Sequence, residues 1–176
     1  KAEIVEKLAG SFNIGAGFSQ TQGLLFNIGL TQENLFGTGK RLSLNINTDR
    51  ANTIYSAAYT NPYYTIDGIS RTVSVSFRER DAAEEQINNY QTNSGDLAIN
   101  YGVPLSEFNT LGLGYGLSYI KILPSSVNPS ADVEKFLEDN NDQSSFTSLT
   151  LNASFSHDTR NRTVFATAGS QQTLGM

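Results

Sequence analysis

The chain of 176 residues contains no cysteine and no tryptophan, and only four prolines. Without cysteine it has no disulfide framework and no thiolate metal site, which suits an oxidising compartment. Its net charge of −5 argues against a nucleic-acid partner, since phosphate backbones attract basic proteins. It has no run of about 18 apolar residues, so no transmembrane helix is predicted. The first six residues lack the apolar core of a signal peptide, and we expect a mature chain or a piece of a longer one.

Apolar residues alternate with small uncharged residues along most of the chain, as from Ser11 to Ser19 and from Gly112 to Tyr119. A period of two predicts β-strands, because successive side chains point to opposite faces of a sheet. A soluble sheet offers water many charged residues, whereas the second face here is Gly, Ser, Asn and Thr. That face suits a crowded, wet interior. The apolar face is therefore expected to meet lipid, as in an outer-membrane β-barrel.

The alternation predicts eight strands, at residues 11–19, 23–32, 41–47, 52–60, 71–78, 95–102, 111–119 and 146–156, and a ninth from about Gly169 to Met176. Of the 12 basic and 17 acidic residues, the eight contain only Arg41, Arg71, Arg78 and Asp96. The fold class predicted is all-β, an antiparallel transmembrane β-barrel segment of eight to nine strands. A short helix is predicted at 131–138, where apolar residues recur at helical spacing.

The connections differ in length and thereby predict an orientation. Those at 79–94 and 120–145 are long and charged, and bacterial barrels place their longest loops outside the cell. The alternate connections, at 33–40, 61–70, 103–110 and 157–168, are therefore expected to face the periplasm.

No group of residues predicts enzyme chemistry. His157, the only histidine, stands at a strand end and is interpreted as a hydrogen-bonding turn residue. Asp81, Glu84 and Glu85 are interpreted as solvated loop charge. The segment 139–142 hints at calcium but lacks the glycine and glutamate that an EF-hand requires. We expect no catalytic residue, no metal and no cofactor.

Three of the predicted periplasmic turns resemble those of the Omp85 superfamily. Residues 34–39 resemble its first periplasmic turn, and residues 61–68 resemble the second turn of its BamA branch. Residues 158–169 resemble its D-x-R-x-x-x-x-F-P-x-x-G turn, with Ala166 in place of the usual proline. The residues that carry the resemblance are Phe36, Gly37, Gly39, Asn61, Pro62, Tyr63, Asp67, Gly68, Asp158, Arg160, Arg162, Phe165 and Gly169.

Most of these residues also have a purely structural explanation. The glycines at 37, 39 and 68 fit turn positions that need unusual φ angles. The arginines at 160 and 162 either act in function or pair with carboxylates such as Asp158 and fix the turn.

The resemblance implies a domain organisation and a set of partners. Residues 1–9 would end the last periplasmic POTRA domain, and residues 10–176 would form the N-terminal half of a sixteen-strand barrel in the bacterial outer membrane. Members of this branch fold and insert other β-barrels. The implied partners are membrane lipids, nascent outer-membrane β-barrel proteins, accessory assembly lipoproteins, and the remaining strands and POTRA domains of the parent protein.

The first strand is the expected binding edge for a client strand. In lipid each unpaired backbone group costs several kcal/mol, so an edge strand readily adds an incoming strand. The expected edge residues are Ser11, Phe12, Asn13, Ile14, Gly15, Ala16, Gly17 and Phe18, with Gly10 as a hinge. The glycines at 15 and 17 either loosen this strand or relieve crowding. The resemblance further implies a thinned bilayer beside it.

Three other classes are open on the sequence. An outer-membrane translocator or porin-like barrel would share the architecture, although a translocator has less reason to share residues 61–68. A soluble β-sandwich binding module would fold in plain buffer. An outer-membrane enzyme would need a catalytic cluster at one rim.

Overall fold

The computed structural model describes residues 10–82, 89–125, 130–162 and 164–176, which form one antiparallel sheet with its strands in sequence order. The strands are β1 (Gly10–Ser19), β2 (Gly23–Gln32), β3 (Arg41–Thr48), β4 (Asn52–Asn61), β5 (Ser70–Asp81), β6 (Tyr90–Pro104), β7 (Asn109–Pro124), β8 (Ser145–Asp158) and β9 (Gln171–Gly175). Helix α1 covers Ala131–Asp139. The prediction of an all-β segment with one short helix is confirmed. The nine residues expected to end a POTRA domain lie outside the described residues.

The strand register places like residues side by side across the whole sheet. One row is apolar and runs through Leu30, Leu44, Ala57, Val75, Leu97, Leu117 and Leu149. The neighbouring row on the other face is polar or small and runs through Asn13, Gly29, Asn45, Ser56, Ser76, Asp96, Ser118 and Ser148. Because side chains alternate between faces, these rows define an apolar face and a polar face.

The apolar face has no second layer packed against it. Among the described residues, only Ala51 and Ala82 are buried hydrophobic residues. Val75, in the middle of the sheet, is 52% exposed, and Leu149 is 70% exposed. A soluble sandwich would bury such side chains in a core between two sheets. The sandwich interpretation is therefore wrong, and the apolar face requires an apolar solvent.

Several strands are longer than the sequence predicts. β5 continues to Asp81, β6 begins at Tyr90 and β7 ends at Pro124. The long connections are therefore 82–89 and 125–144, and the predicted limits of 79–94 and 120–145 are wrong. Beyond the apolar band the hydrogen-bonded ladder continues without regular alternation, as in the run Ile120, Lys121, Ile122 and Leu123 of β7. Alternation of apolar and polar residues therefore predicts only the part of a strand that lies within the apolar band.

Helix α1 is held against β8 by one aromatic contact. The rings of Phe136 and Phe146 lie 5.6 Å apart and tilted. The acidic and amide residues after the helix end it, with Asn141 and Asp142 in left-handed backbone conformations. The Asp142 N–H donates to the carbonyl oxygen of Leu137 over 2.8 Å. In the described part of the chain, no helix is long and apolar enough to cross a membrane.

Candidate functional site

The expected edge strand is the first strand of the sheet and pairs with β2 along its entire length. The pairs run from Gly10 with Gln32 to Ser19 with Gly23. In the described chain no strand pairs with its other side. Gly10 lies inside β1 as its first paired residue, so the strand starts one residue earlier than predicted. Its role as a hinge stays a prediction.

Two kinds of glycine are distinguished by the space around them. A Cβ added at Gly15 or Gly17 would lie no closer than 3.8 Å to its nearest neighbours, which is ordinary contact. A Cβ added at Gly114 would collide with the side-chain oxygens of Asn152 and Asn100. Gly112 and Gly29 are equally crowded, by Ser154 and Asn13. Gly29, Gly112 and Gly114 thus make room for amides and hydroxyls of the polar face, whereas β2, the one described neighbour of β1, does not crowd Gly15 or Gly17.

The height of the apolar band varies from strand to strand. On β1 it runs from Phe12 to Phe18, about 20 Å along the strand and about 16 Å in height at a tilt near 40°. On β7 it runs from Leu111 to Tyr119, which is about 21 Å in height. Known outer-membrane barrels carry a band about 25 Å tall. The first strand therefore matches less hydrocarbon than the seventh.

The turn between β2 and β3 is built around Asn34, which adopts a left-handed conformation. Its side-chain oxygen accepts a hydrogen bond from the Gly39 N–H at 2.6 Å, and its carbonyl accepts one from the Gly37 N–H at 3.0 Å. Gly37 and Gly39 have φ angles of 75° and 70°, so the expectation of unusual backbone conformations is confirmed. Phe36 also has a positive φ, and its side chain is 93% exposed.

The turn between β4 and β5 closes through one hydrogen bond to a side chain and others within the backbone, and it lies beside the end of β6. The Tyr63 N–H donates to the Asn61 side chain at 3.2 Å, and the Gly68 N–H donates to the Thr65 carbonyl at 3.2 Å. Gly68 has a φ of 83°, as expected, and lies against Pro104. Pro62 and Asp67 lie in the same turn, and Asp67 is exposed.

An ion pair fixes the start of the turn between β8 and β9. The Arg160 guanidinium donates to both carboxylate oxygens of Asp158, from Nε at 2.9 Å and from Nη2 at 2.7 Å. The Arg160 backbone N–H donates to the same carboxylate at 3.0 Å. These hydrogen bonds from Arg160 lower the pKa of Asp158 to about 2, because they favour the charged carboxylate. Arg160 therefore has the structural role, and its functional role stays a prediction.

The rest of this turn depends on Asn161 and Gly169. The Asn161 side-chain oxygen accepts the backbone N–H groups of Thr167 and Ala168 at 3.1 and 3.3 Å. Gly169 has a φ of 88°, and a Cβ there would collide with the backbone of Thr159. Only glycine fits this position, for both reasons.

Two motif residues of this turn are directed away from it. Phe165 has a positive φ and is 90% exposed. Arg162 is exposed and forms no ion pair with any described residue, unlike Arg160. The predicted pairing is thus confirmed for Arg160 and stays a prediction for Arg162. His157 is confirmed as a hydrogen-bonding residue, since its Nδ1 lies 2.7 Å from the Asn109 side-chain oxygen.

The comparisons with known proteins agree with this geometry. The sequence pattern of the Omp85 superfamily domain matches residues 34–176, which is most of the chain. The chain belongs to the Omp85 superfamily.

Within the Omp85 superfamily, the chain is similar to proteins named BamA. It is 31% identical over 121 residues to the outer membrane protein assembly factor BamA of Neisseria meningitidis, covering 68% of this chain and 15% of that protein. It is 26% identical to BamA of Neorickettsia risticii, covering 74% of this chain and 18% of that protein. The chain thus spans less than a fifth of the length of these relatives.

The structural comparison places the Omp85 chain in a membrane barrel. It superposes with a TM-score of 0.68 on the crystal structure of BamA from Haemophilus ducreyi lacking POTRA domains 1–3, at 29% identity. The match covers 97% of this chain and 34% of that one. The sheet is therefore an antiparallel segment of an outer-membrane β-barrel. Its apolar face meets lipid, and its polar face lines the lumen.

Sequence reasoning missed several residues of this Omp85 segment. Asn34 and Asn161 organise two turns through side-chain oxygens, and asparagine near turn glycines is the signal that could have found them. From the sequence, Arg71 is only a charge within a predicted strand. It lies on the lipid-facing side with its guanidinium carbon 3.9 Å from the Tyr64 ring centroid, a contact that joins a strand to a turn.

Proposed function

We propose that this chain is the N-terminal half of the barrel of an outer-membrane protein assembly factor, and that β1 is the edge that binds a client strand. The shared name of the curated relatives supports the assembly function. In this proposal residues 1–9 connect a POTRA domain to the barrel, and the activity is not enzymatic. Nascent outer-membrane β-barrel proteins are the clients, and accessory lipoproteins assist.

The observation that carries the role of β1 is the contrast between its glycines and those of the lumenal wall. Beside β2, their one described neighbour, Gly15 and Gly17 have room for a side chain, whereas Gly114, between β6 and β8, does not. Glycine in a strand interior gives up packing and backbone order. A glycine that packing against β2 does not require still makes the strand easier to bend and to separate from its neighbour. Such a strand can exchange one partner for another at low cost.

The proposal also includes a thinned bilayer beside β1. The apolar band of β1 is about 16 Å tall, whereas outer-membrane barrels carry a band of about 25 Å. Such a mismatch favours local thinning of the bilayer, at a cost of a fraction of a kcal/mol per ångström of mismatch. Thin bilayer beside β1 lets water reach its backbone groups. An incoming strand would then meet a hydrated edge that it can pair with, and would cross less hydrocarbon on insertion.

Disulfide trapping in the intact protein tests the proposal. Ser11, Asn13 and Gly15 lie on the lumenal face of β1 and are changed to Cys one at a time, and a client barrel carries single Cys residues along its last strand. The chain has no native cysteine to interfere. Antiparallel pairing predicts that a step of two residues forward on β1 moves the crosslink two residues backward on the client.

The matched control is Ser56→Cys, on the same face of β4 and paired on both sides, with Asn45 and Ser76. It should give no client crosslink. Crosslinks from β1 only to the last strand of its own barrel would contradict the proposal and favour the translocator or porin-like alternative. Crosslinks of equal yield from Ser56→Cys would show that trapping reports random collision.

A further inference from the structure

A basic and aromatic cluster lies on the lipid-facing side of β5 and β6, at the end assigned to the periplasm. Arg71 and Tyr101 are directly paired in register, on the same face as Val73. Tyr64 reaches them from the turn between β4 and β5. Its ring lies 3.9 Å from the Arg71 guanidinium carbon, and its centroid is 6.1 Å from that of Tyr101. We call these three residues the Arg71 cluster.

The guanidinium of Arg71 has no acceptor for its hydrogen bonds within the described chain. Its Nε is shut off from water and has no hydrogen-bond partner. A guanidinium carries five N–H donors, and a dehydrated unpaired donor costs free energy. Two other arginines at this end are neutralised, whereas Arg162 is exposed and forms no ion pair with a described residue. Arg41 lies 2.6 Å from a carboxylate oxygen of Glu33, and Arg160 pairs with Asp158. Arg71 instead lies over the face of the Tyr64 ring.

The depth of the cluster matches that of lipid phosphates. The apolar band of β5 ends at Val73, and Arg71 follows two residues later, about 5 Å further toward the periplasm at a strand tilt near 40°. Tyrosine and arginine are enriched at this level of membrane proteins, where a hydrophobic body meets a polar headgroup. The side chain faces the bilayer, so lipid is what lies next to its free donors.

We propose that the Arg71 cluster binds the phosphate of a phospholipid in the periplasmic leaflet of the outer membrane. The terminal amino groups of the guanidinium form the fork that a phosphate accepts in bidentate fashion. The Tyr64 ring covers Nε and holds the guanidinium by a cation–π contact, so the donors are dehydrated and pre-oriented. The proposal depends on the membrane orientation of the sheet and not on the assembly activity.

Native mass spectrometry of the intact detergent-solubilised protein, titrated with phosphatidylglycerol, tests the site. Arg71→Met keeps the length of the side chain and removes the fork, and should weaken the tightest lipid-binding step by about tenfold, the loss of one charge-assisted interaction. Arg41→Met is the matched control. It removes a charge at the same end on the lumenal face, where Glu33 already satisfies it, and should change the affinity by less than about twofold.

Two further variants keep the test decisive if Arg71→Met fails to fold, as judged by heat-modifiable mobility. Arg71→Lys keeps the charge without the fork, and Tyr64→Leu removes the ring that holds it, so each should weaken binding several-fold. Unchanged affinity in the folded variants would overturn the proposal, as would an equal loss in Arg41→Met. Inorganic phosphate alone is the second probe. If it binds as tightly as the lipid and depends equally on Arg71, the site is for a soluble anion and the lipid assignment is wrong.

Discussion

Two adjacent residues, Val75 and Ser74, offer a direct test of which face of the sheet meets lipid. Val75 lies in the central apolar row, between Ala57 and Leu97, and is 52% exposed. Ser74 lies on the opposite face between Ala58 and Ala98, whose small side chains leave room in the lumen. The perturbation is the same in both cases, a substitution by arginine.

The expected magnitudes differ because the two arginines would enter different solvents. Val75 is the middle residue of the apolar band of β5, which runs from Val73 to Phe77, and thus lies near the bilayer midplane. An arginine there should destabilise the folded state by about 2–4 kcal/mol. Arginine in place of Ser74 keeps its charge in the wet lumen, and we expect a cost below about 1 kcal/mol.

The assay is reversible unfolding of the intact protein by guanidinium in phospholipid vesicles, with heat-modifiable mobility as a second measure of the folded fraction. The difference in unfolding free energy between Val75→Arg and Ser74→Arg is the quantity of interest. A loss in Ser74→Arg as large as in Val75→Arg would refute the assignment of the two faces. So would two losses that both stay below about 1 kcal/mol.

Three further predictions concern backbone conformation, pH and the lumenal wall. Gly169→Ala should destabilise the same protein by about 1–3 kcal/mol in the unfolding assay, since its Cβ would collide with backbone at a φ of 88°, whereas Gly37→Ala, in open space, should cost less. With its pKa lowered from 3.8 to about 2, Asp158 should stabilise its turn above pH 4 and lose this effect as the pH falls through about 2. Hydrogen exchange at the turn amides measures that loss, which Asp158→Asn should abolish. Gly114→Ala should cost about 1 kcal/mol because it displaces two amides, and Gly15→Ala should stay within about 0.5 kcal/mol.

The sequence predicts the strands because lipid and lumen impose opposite demands on alternate residues. The first four strands agree with their predicted limits within one residue at either end. β9 (Gln171–Gly175) is shorter than predicted, whereas β5 to β8 are longer because their hydrogen-bonded ladder continues beyond the apolar band. In that region Asn93 of β6 pairs directly with Lys121 of β7. Neither the hydropathy nor the charge of such residues indicates a strand.

The candidate site is predicted less completely, because it depends on which strands lie together. The turn motifs show where glycine is needed, and Gly37, Gly39, Gly68 and Gly169 all have positive φ angles. Local sequence does not show that Gly114 is crowded by amides from β6 and β8. Those contacts join residues 52 positions apart, such as Asn152 and Asn100, whose amides share a hydrogen bond. The same limit hides the contact of Tyr64 with Arg71.

If β1 binds a client strand as proposed, backbone hydrogen bonding sets the strongest constraint on that exchange. In a ten-residue antiparallel strand, about half of the residues direct their N–H and C=O groups to each side. The side of β1 away from β2 therefore carries about ten polar groups, and in hydrocarbon each costs several kcal/mol if unpaired. A closing strand and a client strand satisfy these groups equally well, so exchanging one for the other changes the free energy little. Selectivity between the two partner strands must then come from side chains and from the timing of binding. β1 offers few side chains for this purpose, because Gly15 and Gly17 have none.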